Sequence, residues 1–216
     1  MNNPTIGAFG RQGILSSLIW YPEHGMGYYP VVDSPYDQNY WDKYVGYANS
    51  ETGKSITKDR ISWVDRWIDS GHLTDIGIGC GHFITERNRK WNEGVTTGFD
   101  INPVGIDWLK SNILYSDPYK SETESVSLWD VLEHIHDPGP LLLNVKRYVF
   151  ATIPIFHGPD QILRSKHFRR DEHCWYWTKD SFPVFMSWFG FRLLDRDDFE
   201  VRSGREDVMT FAFERI

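Results

Sequence analysis

Apolar and polar positions change period several times along this chain of 216 residues, and each change marks an element. Between residues 39 and 47, Tyr40, Trp41, Tyr44 and Val45 recur at i, i+1, i+4 and i+5, which places them mostly on one face of a short helix. From Thr57 the stripe Ile61, Val64, Trp67 and Ile68 predicts a longer helix, with Thr57 as its N-cap and Gly71 as its stop. His72 to Ile76 is short and β-prone and runs straight into glycines, after which a helical stretch extends from about His82 to Trp91. Strand, glycine turn, helix is the order of a βαβ unit. A second strand over 95–99 ends at Asp100 and leads into a helix over 106–112. The alternation continues with strands at 124–128 and 148–155 and helices at 138–145 and 179–188. Two last strands, 191–195 and 208–213, flank a charged turn and are placed to pair antiparallel.

Before this alternation, residues 1–55 show no long helix or strand period. Turn signals recur there at Trp20-Tyr21-Pro22, Gly25 to Pro30 and Ser34-Pro35-Tyr36. The expected division is an aromatic N-terminal extension or cap over 1–55 and one α/β domain over 56–216. Aromatic residues make up 16% of the chain, an excess that needs either a ring-rich core or a pocket built from rings. The rings concentrate before the α/β domain and again at Trp175-Tyr176-Trp177, which suggests that they wall a chamber.

Charge narrows the function. With 23 basic against 30 acidic residues and a net charge of −7, the chain is a poor non-specific nucleic-acid binder, and duplex DNA is not an expected partner. Cys80 and Cys174 are too few for a disulfide scaffold or a four-thiolate zinc site and fit a reducing compartment. Met1 to Asn3 lack the basic start of a secretion signal, and the longest apolar runs fall far short of a bilayer span, so the expectation is a cytoplasmic protein without a membrane partner.

The strongest chemical signal is Asp75-Ile76-Gly77-Ile78-Gly79-Cys80-Gly81 between the first strand and its helix, with Asp100 at the tip of the second strand. Glycines there let a ligand approach the backbone and let the turn adopt dihedrals that other residues resist. An acidic group at the second strand's tip accepts hydrogen bonds from ribose hydroxyls. Together they predict a nucleoside pocket at the carboxyl edge of a parallel sheet. The dinucleotide spacing would require glycine where His82 stands, which tilts the reading away from a nicotinamide cofactor.

These segments resemble class I S-adenosylmethionine-dependent methyltransferases. Leu73 to Gly81 is similar to that family's first motif and Gly98 to Pro103 to its second. Trp129-Asp130-Val131-Leu132-Glu133-His134-Ile135-His136-Asp137-Pro138 resembles the segment after strand four in small stand-alone members. The resemblance covers about 57–216 and implies a Rossmann-like, mostly parallel sheet of seven strands, helices on both faces and a C-terminal antiparallel hairpin. It implies S-adenosylmethionine as cofactor, with Asp75, Gly77, Gly79 and Gly81 at its methionine end. Asp100 would hold the ribose, Ile101 the adenine and Asp117 the adenine amino group, with Asp130 near the sulfonium.

The expected reaction is methyl transfer to an oxygen or nitrogen of a small or medium-sized acceptor, a sugar or other metabolite. His134, with Glu133 beside it, is the catalytic candidate where the acceptor is a hydroxyl that needs a base. Tyr40, Trp41 and Tyr44 are the expected lid. The loop from Arg164 to Trp177 offers substrate contacts through His167, Arg170, His173 and Trp175, with Arg164, Lys166, Arg169 and Arg170 suited to an anionic acceptor. His167, His173 and Cys174 lack metal-motif spacing, and no metal is expected from them. The alternative is a catalytically silent module that binds a protein partner through its aromatic N-terminal segment. Oligomeric state is not legible.

Overall fold

A computed structural model describes residues 14–15, 18–30, 36–68, 72–91 and 95–216. The expectations at Met1 to Asn3, Ser34-Pro35 and Gly71 lie outside them. Four short strands carry the expected parallel core: β4 (Leu73–Ile76), β5 (Thr96–Phe99), β6 (Thr123–Trp129) and β7 (Val145–Pro154). Their order is β5-β4-β6-β7, with every pairing parallel. Two antiparallel strands extend the sheet, β10 (Val208–Arg215) against β7 and then β9 (Phe191–Asp197) at the edge. The sheet therefore has six strands, one fewer than expected. Where a seventh would lie beyond β5, Tyr115 makes a single parallel bridge to Gly98. Ile113 at φ 59° and Pro118 bracket a run too short to extend that bridge into a strand.

Alternation along the strands explains why helices cover both faces. Val149, Ala151 and Ile153 of β7 enter one apolar cluster, with Phe182, Phe185 and Met186 of α7 (Ser181–Ser187). Tyr148 and Phe150 enter the opposite one, with Ile61, Trp63 and Val64 of α2 (Glu51–Val64) and Phe83 of α3 (His82–Lys90). The α2 helix starts earlier than the sequence pattern suggests because Ser50 is the N-cap, its hydroxyl accepting the Gly53 N–H at 3.0 Å. Thr57 is thus a residue inside the helix, which runs unbroken through position 55. The short helix predicted at 39–47 is α1 (Gln38–Asn49), capped by Asp37, whose carboxylate accepts the Tyr40 N–H at 3.0 Å.

A second sheet was not visible in the hydropathy pattern. Strands β1 (Ile14–Leu15), β2 (Leu18–Tyr21) and β3 (Met26–Tyr28) form an antiparallel meander, and β8 (Trp175–Trp177) pairs with β3, Met26 opposite Trp177. The segment expected to be a loop thus contributes a strand whose three aromatic residues are all buried. Trp175 and Trp177 stack at 6.0 Å and join Tyr21, Met26, Tyr28 and Phe185 in the main core. Among the described residues no helix is long and apolar enough to cross a membrane.

Trp175 is 4% exposed, and its indole N–H donates to the Ile135 carbonyl at 3.1 Å, so it is a core residue and not a chamber wall. Trp175→Ala should cost about 3–5 kcal/mol of stability, read by urea denaturation. A loss under about 1 kcal/mol would put the side chain outside the core.

Candidate functional site

At the carboxyl ends of β4, β5 and β6 the chain encloses a cavity of about 140 Å³. The glycine turn makes its floor. Gly77 and Gly79 adopt φ of 69° and 58°, and the Gly77 N–H donates to the Phe99 carbonyl at 2.8 Å, tying the turn to β5. A Cβ on Gly77 would lie 2.5 Å from a Val131 methyl, so both its dihedral and its surroundings demand glycine. Gly81 faces elsewhere: it precedes α3 at φ 74° and packs against the Trp108 ring.

The acidic residues divide into those at the cavity and those beside it. Asp100 lines it, only 8% exposed, and its carboxylate accepts the Asn102 N–H at 2.8 Å. Burial raises its pKa, while backbone N–H groups of Asn102, Ile101 and Ile78 pull it back. Ile101 also lines the cavity and is 66% exposed, an apolar side chain held at the mouth. Asp75 sits one layer below, 1% exposed, accepting the Ser127 hydroxyl at 2.7 Å. Burial pushes its carboxyl up to about 7 against the Ser127 hydrogen bond and the Arg60 and Arg87 charges. Asp117 does not line the cavity: its carboxylate accepts the Tyr119 N–H at 3.1 Å and pairs with Lys120 at 2.8 Å. Tyr119 lines it instead, next to Phe99 at 5.5 Å between ring centres.

Asp130 lines the cavity but its charge is already matched. Arg205 donates to it at 2.7 and 2.8 Å and Arg60 at 3.1 Å, and these guanidinium groups hold its carboxyl well below the usual range despite burial. Its backbone has φ 59°, unusual for a residue other than glycine. From there the chain enters a 3-10 turn, Leu132–His134.

Aromatic and imidazole groups form the opposite wall. Tyr36, Tyr40, Tyr44 and His134 all line the cavity. Tyr36 Oη lies 3.4 Å from His134 Nδ1, and the Tyr40 hydroxyl donates to Tyr44 Oη at 3.2 Å. Burial keeps the phenols protonated, Tyr36 raised to about 12 and Tyr40 higher, and it lowers the His134 pKa, so that imidazole is neutral. Trp41 is not on this wall; it packs with Trp108 against Ile78, Ile84 and Leu109. Glu133 lies behind His134, 1% exposed, its pKa raised well above the ordinary value by burial and by Asp130.

The late loop reaches the site with charge opposite to expectation, since Asp171 and Glu172 line this cavity. Arg170 is exposed and stacks over Phe168, and Arg169 pairs with Glu172 at 2.6 Å. His167 lies beside a neighbouring cavity, its Nε2 2.8 Å from the Glu206 carbonyl. His173 is buried beside His134, ring centres 4.6 Å apart, while the Cys174 thiol donates to the Glu133 carbonyl at 3.1 Å. Tyr36, Phe99, Tyr119 and Glu172 are site residues that no spacing in the sequence marked. Each comes from an irregular segment or a strand end, where hydropathy carries no period.

Gly77→Ala should destabilise the chain by about 1–3 kcal/mol through strain at positive φ, and Val131→Ala in the same chain should recover only the steric part, both read by thermal melting. Asp75 supplies a pH test. Its folded pKa is raised, so its contribution is intact below the ordinary carboxylate range and is lost as pH rises through about 7. Asp75→Asn should therefore flatten the fall in stability between about pH 4 and 7, followed by denaturation midpoints; an unchanged slope would mean that Asp75 titrates normally.

Comparison with known proteins bears on the same region. The magnesium protoporphyrin IX methyltransferase of Synechocystis PCC 6803, solved with bound S-adenosylhomocysteine, has TM-score 0.61 at 10% identity, covering 83% of this chain and 95% of its own. The Burkholderia thailandensis 1,6-didemethyltoxoflavin-N1-methyltransferase has TM-score 0.58 at 12% identity, covering 95% and 98%. The [4+2]-cyclase SpnF has TM-score 0.58 at 10% identity, covering 86% and 99%. No curated protein matches the sequence. Residues 63–196, from the end of α2 into β9, match the family profile described as "Methyltransferase domain". That span is more than half of the chain and contains the glycine turn, Asp100 and the Asp130 to His134 turn, so the protein belongs to the methyltransferase-domain family.

Proposed function

We propose that this S-adenosylmethionine-dependent methyltransferase acts on an oxygen or nitrogen of a small or medium-sized acceptor, a sugar or other metabolite. The observation that carries the reading is the polarity of the cavity's two walls. One is glycine backbone, Asp100 and the exposed Ile101, and the other is Tyr36, Tyr40, Tyr44 and His134.

The first wall suits the cofactor. Asp100, a carboxylate at a strand tip, is in position for ribose hydroxyls, and Ile101, Phe99 and Tyr119 offer apolar faces to a purine. Gly77 and Gly79 line the same wall, where backbone can approach the amino-acid end directly. Bound there, the cofactor supplies a methyl group already activated by a positively charged sulfur, so the protein's work is alignment and exclusion of water. Tyrosine faces suit that positive charge. The neutral imidazole of His134 is a basic group on the acceptor wall, with Glu133 next to it in the turn. Asp171 and Glu172 make an anionic acceptor less suitable than a neutral or cationic one.

The alternative, a silent module using its N-terminal rings as an interface, has one strongly exposed ring among the described residues of 20–47, Tyr47 at 41%. Tyr21 and Tyr28 are core residues, and Tyr36, Tyr40 and Tyr44 face the cavity.

Calorimetry with S-adenosylmethionine should show binding that Asp100→Ala weakens by roughly 10- to 100-fold, the cost of losing hydrogen bonds to a charged group. Tyr40→Ala should reduce radiolabelled methyl transfer more than cofactor affinity. No binding by the wild-type chain, or unchanged binding by Asp100→Ala, overturns the cofactor assignment.

A further inference from the structure

Behind the acceptor wall, three potential ligands from two segments distant in sequence meet. Glu133 and His134 belong to the 3-10 turn after β6, and His173 immediately precedes Cys174 and β8. One donor atom from each lies within 4.8 Å of the others, and among the described residues no other group of histidine, cysteine or acidic side chains meets in this way. The two segments are joined by the Cys174 N–H, which donates to the Glu133 carbonyl at 2.8 Å.

An independent observation concerns hydrogen bonding. Glu133 is 1% exposed and neither carboxylate oxygen has a partner among the described residues; His173 is 5% exposed and its Nδ1 is likewise without one. Unpaired polar atoms are costly in a dry interior, so the orphaned atoms of Glu133 and His173, two of the three clustered side chains, call for an occupant. Packing supplies none: the neighbouring polar groups are already engaged, Arg169 with Glu172 and Cys174 with the Glu133 carbonyl.

We propose that Glu133, His134 and His173 bind a divalent transition-metal ion at the edge of the acceptor chamber. Two imidazoles and one carboxylate are a donor set for zinc, cobalt, iron or manganese and a poor one for magnesium or calcium, which take oxygen shells. Ligand bonds of about 2.0–2.2 Å place donor atoms roughly 3–3.5 Å apart around an ion, so the side chains would close by about an ångström on binding. Because His134 lines the cavity, the remaining positions of the ion would open toward it, where water or an oxygen donor completes the shell. With an ion in place, His134 is a ligand instead of a proton acceptor. The site itself stands on the donor geometry and does not depend on the identity of the methyl acceptor.

The test uses the untagged full chain stripped with EDTA. Titration with Co²⁺ should give one ion per chain with a visible d–d absorption band, and Zn²⁺ should displace it. Glu133→Gln, nearly equal in volume, and His173→Gln should each weaken binding by more than about tenfold. Far-UV circular dichroism and melting establish that each variant is folded; should His173→Gln fail to fold, Glu133→Gln carries the comparison. The proposal is overturned if the wild-type chain binds neither Co²⁺ nor Zn²⁺ stoichiometrically, or if folded Glu133→Gln binds as the wild type does. Calorimetry with S-adenosylmethionine on the same stripped protein keeps the cofactor assignment a separate question.

Discussion

Two guanidinium groups and two carboxylates close on one another beneath the cavity, and the position of the turn that carries His134 depends on them. Arg60 of α2 donates to Glu200 at 2.7 Å and to Asp130 at 3.1 Å, and Arg205 bonds the same two carboxylates from just before β10. Glu200, 1% exposed, belongs to α8 (Phe199–Arg202) and also accepts the Thr152 hydroxyl of β7 at 3.0 Å. Charges of both signs are equal in number, which is what makes such burial tolerable; removing one member of a buried set costs about 3–5 kcal/mol. The network ties α2, β6, β7 and α8 together and holds Asp130 in its left-handed conformation. Val131 then fills the space beside Gly77, and His134 arrives at the cavity wall.

Local signals explain why part of this was legible in the sequence. The β4 turn, Asp100 and the helix stripes rest on interactions between near neighbours, and periodicity records those. Asp130 was legible as a site residue through its motif, yet its partners Arg60, Glu200 and Arg205 lie up to 75 residues away and carry no shared spacing. The same holds for the small sheet. A three-residue strand such as Trp175–Trp177 is too short to show alternation, and its pairing with Met26–Tyr28 joins opposite ends of the chain. The missing seventh strand has a local cause, since Ile113 at positive φ before Tyr115 and Pro118 after it leave a run long enough for one bridge only.

The aromatic excess divides along the same line. Rings on regular strands, such as Tyr28, Trp175, Trp177 and Phe211, are core and build a ring-rich layer against α7. Rings on irregular segments, such as Tyr36 and Tyr119, or on the exposed helix α1, such as Tyr40 and Tyr44, reach the cavity. Composition raised core and pocket as alternatives, and both uses occur, even within one helix, where Tyr40 and Tyr44 line the cavity and Trp41 packs beside Ile78. Strand alternation forces a side chain into one of two layers, whereas an end or a turn leaves it free to face a ligand.

The wall that carries Asp100 and the wall that carries Tyr40 and Tyr44 are joined through Asn102, a residue 2% exposed. Its N–H donates to the Asp100 carboxylate, its side-chain oxygen accepts the Val104 N–H as the N-cap of α4 (Pro103–Ser111), and its side-chain nitrogen donates to the Asp37 carbonyl at 3.2 Å. Asp37 in turn caps α1, the helix that carries Tyr40 and Tyr44. Asp100 and the start of α1 are therefore two hydrogen bonds apart, so the position of Tyr40 and Tyr44 across the cavity is set by the same residue that holds the Asp100 carboxylate.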